Sequence, residues 1–312
     1  MVISLVLLVN CWIAGAESPI ALDLKTDIGE LTVKYKDQKL LVYAFASNQF
    51  KPYVRELYTL SGDNVLRDAP PDHLHHHGLM FAIRVNGTNF WEERDAPGVE
   101  KHVEMISHLT GNTQTGLPQA RFTEIIHWVP EMHRAATNSG AAALLLEERT
   151  LTVTVDEASQ EVALQWDAQF EVGPVKGKVT LHGANYNGLG LRLPESFNHK
   201  AQFQNSANQP YMGNNTQDVI PAQWTSVSGR IDGRETMLAL FASTKNAPGK
   251  SEFFTMLDPF AYLSATQGLD KKPIECSAGE RFQWSFLLAV YPQNKTGDFV
   301  RNRFGKWVKA LP

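Results

Sequence analysis

The sequence predicts an all-β protein, a large antiparallel β-sandwich closed by one short C-terminal helix. Period-two alternation of apolar and polar residues recurs along most of the chain, and turn formers punctuate it at short intervals. Only the last segment carries apolar residues at helical spacing. The first expected hairpin joins residues 31–35 to 40–45 across Lys36-Asp37-Gln38-Lys39. A second joins 149–155 to 161–170 across 156–160, with Val162, Leu164 and Trp166 on one face. Residues 79–81 read as a buried strand, and further strands are expected at 176–181, 237–242, 253–256, 261–265 and 282–291. Phe299, Val300, Arg303, Phe304, Trp307 and Val308 mark the helix. Residues 111–119 and 205–216 are expected as surface loops, and Asp232-Gly233 as a turn. With no internal repeat and no low-complexity linker, residues 17–312 are expected to form one domain.

The chain has 312 residues, 43% of them hydrophobic and 20% charged, enough to bury a large core and to exclude disorder. A net charge of −4 and the lack of a basic stripe exclude a nucleic-acid surface. Residues 1–16 are apolar and end Ala14-Gly15-Ala16, which reads as a cleaved export signal. The stretch is short for a membrane span, and no other apolar run follows, so the mature chain is expected to be exported without a membrane span. Cys11 within the signal leaves lipoprotein anchoring as the alternative. Removing the signal leaves Cys276 alone, so no internal disulfide forms and an inert, buried thiol is expected. Asn-x-Thr sequons stand at Asn86, Asn214 and Asn294.

Residues 69–81 read Ala-Pro-Pro-Asp72-His73-Leu-His75-His76-His77-Gly78-Leu-Met-Phe and hold four of the ten histidines. Imidazole is both a general acid/base near neutrality and the commonest metal ligand. In an extended segment His73, His75 and His77 share one face and His76 takes the other. Three readings stay open. The His73-x-His75 pair binds a divalent metal, with a third ligand from Glu148, His182 or His199. Alternatively a metal-free cleft uses one histidine as general acid/base for a sugar hydroxyl. In the third, the histidines only hydrogen-bond the loop and Asp72. Elsewhere Glu148 and Arg149 are expected to form an ordinary ion pair, and Arg192, among apolar neighbours, to need a partner. Trp91 and Trp224 are either sugar-stacking platforms or core.

The order Lys51-Pro-Tyr53, Leu57-Tyr-Thr-Leu-Ser-Gly62, Arg67-Asp-Ala-Pro-Pro-Asp72-His-Leu-His-His76 and Asn86-Gly-Thr-Asn-Phe-Trp91 resembles the PmoA-like domain family. Leu146-Glu-Glu-Arg-Thr150, Gly190-Leu-Arg192, Ala222-Gln-Trp224, Gly229-Arg-Ile-Asp-Gly233, Leu257-Asp-Pro-Phe260 and Gly279-Glu280 extend the resemblance over roughly residues 29–295. Lys51 and His77 depart from the pattern, since Arg is usual at both. The family's label implies methane oxidation, which needs several apolar spans of about 20 residues. The chain has none beyond its signal, so a methane monooxygenase is excluded. A looser likeness to aldose-epimerase and other carbohydrate-active proteins implies a galactose-mutarotase-like supersandwich with its His- and Gly-bearing segment in a sugar cleft.

Residues and likeness together point to an exported carbohydrate-processing enzyme with epimerase, lyase or hydrolase chemistry. His73, His75 and His76 would be catalytic, with Asp72 orienting them. Lys51, Tyr53, Arg67, Trp91, Glu148 and Arg192 would bind a small-molecule or oligosaccharide substrate. A metal-dependent enzyme built on His73 and His75, and a non-catalytic glycan-binding module, are the alternatives.

Overall fold

A computed structural model describes residues 19–211 and 217–311. The expected signal at residues 1–16, with Cys11, and the sequon at Asn214 lie outside the described residues. Among the described residues three sheets form. One has nine strands, in the order Ile20–Lys25, Glu30–Tyr35, Gln38–Ala44, Tyr53–Leu57, Leu79–Ala82, Gly188–Arg192, Tyr262–Thr266, Glu252–Met256, Gln217–Pro221. The second has eight: Gln202–Asn205, Trp224–Ile231, Arg234–Ala242, Arg281–Tyr291, Glu161–Val172, Leu145–Asp156, Pro118–Pro130, Gly98–Asn112. Ile274–Ser277, Lys178–His182, Arg84–Val85 and Thr88–Asn89 make a small third sheet. The pairings are antiparallel, as the alternation predicted.

The two large sheets face each other across one aromatic-rich core. Phe81 of the first sheet lies 5.5 Å from Trp284, 5.8 Å from Phe170 and 6.0 Å from Trp128 of the second, ring to ring. Burying such a ring contributes roughly 1.5–3 kcal/mol, and tilted ring pairs add about 0.5–1.5 kcal/mol. The C-terminal helix, Gly297–Ala310, explains why 237–242 and 286–291 are apolar without a break. Leu238, Leu240, Phe286 and Leu288 enter the main core, while Met237, Ala239, Phe241, Leu287 and Ala289 pack under Val300, Phe304 and Trp307. Thr296 caps that helix by accepting from the Phe299 N–H at 3.2 Å, and Asp298 sits in its first turn, where a negative charge is favoured.

Both predicted hairpins form. The first turns on two residues, Lys36 and Asp37, with Tyr35 opposite Gln38, and Lys36 takes a positive φ. The second pairs Asp156 with Glu161. Asp232 and Gly233, both at positive φ, turn the hairpin between Ile231 and Arg234. Cys276 is buried, and burial pushes its thiol up to about 11, as befits an inert group. Residues 111–119 are not a loop, because only 113–117 turn. They join two long strands, Gly98–Asn112 and Pro118–Pro130, that period two did not reveal. The first is an edge strand whose register shifts between His102 and Glu104 and again between Met105 and Ser107, and each shift breaks the alternation. No helix among the described residues is long and apolar enough to cross a membrane.

Candidate functional site

The histidine segment is not extended. His73 N–H donates to the Pro70 carbonyl and His76 N–H to the His73 carbonyl, both at 2.9 Å, which makes two successive turns. Ala69 N–H closes the loop onto the His76 carbonyl at 3.0 Å. The expected strand phase is therefore overturned. The backbone turns instead bring His73, His75 and His76 together and send His77 elsewhere. His73 stacks on His76 with ring centres 4.6 Å apart, and His75 meets His76 edge-on at 4.6 Å.

These three imidazoles line a cleft of about 630 Å³ with Asp72, Leu74, Glu92, Arg94, Tyr186, Phe254, Met256, Phe260 and Tyr262. Arg192 lies beneath the loop at the end of its strand, 1% exposed, with its guanidinium 3.5 Å over the Phe260 ring. Its Nη2 donates to Asp72 Oδ2 at 2.7 Å, and its Nη1 faces His76 Nδ1 at 3.5 Å, while Nε is buried without a partner. Asp72 Oδ2 also faces His73 Nδ1 at 3.0 Å. Desolvation pulls the Asp72 carboxyl upward, but the His73 and Arg192 hydrogen bonds outweigh it and hold the group at about 2. Burial and the neighbouring His73 hold His75 at about 4, and burial with His75 and His73 beside it holds His76 at about 2. His75 and His76 are thus neutral at pH 7.

Glu92, also in the cleft lining, is fastened by Arg84 Nη2 at 3.0 Å, the Tyr186 hydroxyl at 3.2 Å and the Asn89 amide. Burial opposes these hydrogen bonds, yet the net effect lowers its pKa. The floor is formed by Tyr262, packed with Trp91 over Gly190, where a Cβ would run into the Tyr262 hydroxyl and the Trp91 ring. Trp91, expected to bind substrate, is 1% exposed and does not line the cleft, so it is packing behind Tyr262 and not an open stacking platform, and its Nε1 has no partner. Trp224 lies under the C-terminal helix.

His77 turns to the other side of the loop and stacks on Tyr53 at 4.2 Å. Its Nδ1 faces Asp68 Oδ1 at 3.1 Å and its Nε2 faces Glu93 Oε1 at 3.0 Å. Burial disfavours a charge there, but the two carboxylates prevail and raise its pKa. Lys51 Nζ donates to the same Glu93 oxygen at 2.5 Å, and the Tyr53 hydroxyl to Asp68 at 3.2 Å. Lys51 and Tyr53, expected to touch substrate, therefore belong to a buried network behind the loop. Lys51 and His77, the two positions where Arg was expected, are held by one carboxylate. Arg67 pairs with Glu195 at 3.2 Å, outside the cleft lining.

Glu148 is exposed on the second sheet and does not line the cleft. Nor is it the partner of Arg149. Alternation turns Glu147 inward instead, where it takes Arg149 Nε at 2.7 Å and Nη2 at 2.9 Å. Arg149 also reaches Glu100 Oε2 at 3.0 Å and the Pro52 carbonyl at 2.8 Å, fully buried between the sheets. A metal on His73 and His75 lacks a third ligand: Glu148 is elsewhere, His182 accepts from Gly87 N–H at 3.0 Å, and His199 faces Asp258 at 3.5 Å. Among the described residues no group of three or more His, Cys, Asp or Glu is arranged to hold a metal, so the donor set does not fit one. Sequence reasoning missed Glu92, Arg94, Tyr186 and the Phe254–Tyr262 wall. The Glu92-Glu93 pair after Trp91 was their one local signal.

A family profile, the family of unknown function DUF6807, matches residues 30–304, and the PmoA-like label is not confirmed. No curated protein matches the chain. Among solved structures, an α-galactosidase from Geobacillus stearothermophilus is similar with a TM-score of 0.46 and 11% identity, over 84% of this chain and 40% of that one. The chain thus spans well under half of that enzyme. A galactose mutarotase-like protein from Clostridium acetobutylicum has a TM-score of 0.42 and 10% identity, over 88% of this chain and 98% of that one. A galactose mutarotase related enzyme from Lactobacillus acidophilus has a TM-score of 0.37 and 10% identity, over 89% and 99%.

Proposed function

The chain belongs to the family of unknown function DUF6807, and we propose that it is a carbohydrate-processing enzyme that moves protons on a sugar with imidazole groups. The observation that carries this reading is the trio of imidazoles at a cleft whose carboxylates are both occupied. Asp72 accepts from His73 Nδ1–H, which leaves His73 Nε2 as the acceptor for a hydroxyl proton. Asp72 and Glu92 are both held ionised, so neither supplies the carboxylic acid that a two-carboxyl glycosidase needs. That favours epimerisation by proton shuttling over hydrolysis. The Tyr186, Phe254 and Phe260 walls suit the C–H faces of a sugar ring.

The test is a thermal-shift screen of sugars and keto-sugars, followed by turnover assays on the hit. His73→Ala and His75→Ala are expected to lower turnover by about 10²–10⁴-fold. Turnover that survives both substitutions would end the reading, and binding without turnover in the wild type would make the protein a glycan-binding module. Export through residues 1–16 is part of the proposal. Sequencing of the released protein is expected to begin at Glu17, and soluble protein that retains Met1 would overturn export.

A further inference from the structure

We propose that the exposed turn Asn86-Gly87 is a site of self-modification, where the side-chain amide of Asn86 is lost through a succinimide with His182 as the base. The two residues turn the chain between Arg84–Val85 and Thr88–Asn89, and both take a positive φ, 51° at Asn86 and 83° at Gly87. Both are exposed to water, and neither lines the histidine cleft.

Contacts with the neighbouring strand Lys178–His182 prepare the reaction. Asn86 N–H donates to the Thr180 carbonyl at 3.0 Å, and Asn86 Oδ1 accepts from Thr180 N–H at 2.8 Å. Thr180 thus grips the main chain and the side-chain carbonyl of Asn86 together. Its N–H polarises that carbonyl and faces the oxygen on which negative charge develops during attack. Gly87 N–H donates to His182 Nε2 at 3.0 Å, so Nε2 carries a lone pair and the ring is the neutral Nδ1–H form. Burial and Arg84 lower the pKa of His182, which keeps that lone pair available at neutral pH. A backbone N–H is a very weak acid, and an imidazole at hydrogen-bond distance supplies the base that its attack needs. Glycine leaves the nitrogen uncrowded, since nothing lies within 4 Å of where a Cβ would stand.

His182 Nε2 takes the Gly87 N–H proton as the nitrogen bonds to Asn86 Cγ. The proton passes to the side-chain nitrogen as its bond to Cγ breaks, and ammonia leaves. Water then adds to either carbonyl of the ring, giving aspartate or iso-aspartate at position 86. Iso-aspartate lengthens the main chain of a two-residue turn. In the strand that follows, Asn89 Oδ1 accepts from Trp91 N–H at 3.0 Å and Glu92 N–H at 3.2 Å, so the modified turn adjoins the residue that seats Glu92 of the cleft.

Asn86 also heads a sequon, so the test uses the full chain made in a host that adds no N-glycan. The protein is aged in neutral buffer, digested and mapped by mass spectrometry. The peptide holding position 86 is expected to gain one mass unit and to separate into aspartate and iso-aspartate forms. A second Asn-Gly pair, Asn187-Gly188, serves as the internal control: Asn187 is 4% exposed, and its Oδ1 accepts from Ala184 N–H at 2.9 Å. It is expected to lag behind position 86. His182→Gln keeps an acceptor for Gly87 N–H but is no base at neutral pH, and is expected to slow conversion at position 86 by about tenfold or more. The wild type unfolded in guanidinium chloride, where His182 parts from Gly87, is expected to convert more slowly there than the native chain. Aspartate without iso-aspartate would mean direct hydrolysis of the amide and overturn the proposal. So would an unchanged rate in His182→Gln, an unfolded chain that converts as fast as the native one, or equal rates at positions 86 and 187.

Discussion

His76 and His77 are neighbours in sequence with opposite electrostatic fates. His76, enclosed with two other imidazoles over Arg192, stays neutral in the fold, whereas an unfolded chain protonates it below about pH 6.5. The native state then binds fewer protons, so His76 contributes stability above about pH 6.5 that is lost as pH falls toward its folded value. The slope is at most about 1.4 kcal/mol per pH unit. His77, raised by Asp68 and Glu93, has the reverse sign: its contribution is complete below about 6.5 and fades as pH rises through its folded pKa. Urea titrations at pH 7, 6 and 5 are expected to show the wild type losing stability on acidification, and His76→Gln losing less. Parallel pH profiles for the two proteins would contradict this. Asp72, His73, His76 and Arg192 were legible as chemistry because their residue types are dense or out of place. Which histidine faces which way was not legible. It depends on backbone hydrogen bonds to Pro70 and His73 that no side-chain pattern records.

Single elements place that chemistry. The strand Gly188–Arg192 brings Arg192 under the loop and Gly190 under the floor, flanked by Leu79–Ala82 and Tyr262–Thr266. Because a methyl group at Gly190 would occupy the space of the Tyr262 hydroxyl and the Trp91 ring, Gly190→Ala is expected to destabilise by about 1–3 kcal/mol. It should also weaken binding of any cleft ligand by displacing Tyr262. Denaturation and a ligand titration on the same variant check both effects, and unchanged values in both would refute the close approach. Strands with an apolar run, such as Arg234–Ala242 and Arg281–Tyr291, were legible from continuous apolarity. Gly98–Asn112 was not, because its two register shifts and its largely exposed edge remove the pattern that a reader of sequence relies on.

For the molecule as a whole, one core runs from Ile20 to Val290, and a second layer lies under the helix. The expected behaviour is that of one domain, with unfolding followed by tryptophan fluorescence and by circular dichroism coinciding in a single transition. Trp307→Ala, at the centre of the second layer, is expected to cost about 3–5 kcal/mol while keeping that transition single. A separate early phase for the helix would show the layers to be independent. The same global view gives the irregular strand Gly98–Asn112 a purpose. It ends its sheet with Val103, Ile106 and Leu109 exposed at 43%, 46% and 62%, the composition of a sticky border. Its two bulges twist that border, and Lys101 and Glu104 interrupt it with charge, so a second copy finds no flat ladder on which to add a strand. The irregularity that conceals this strand in the sequence thus also guards the protein against polymerising through its own edge.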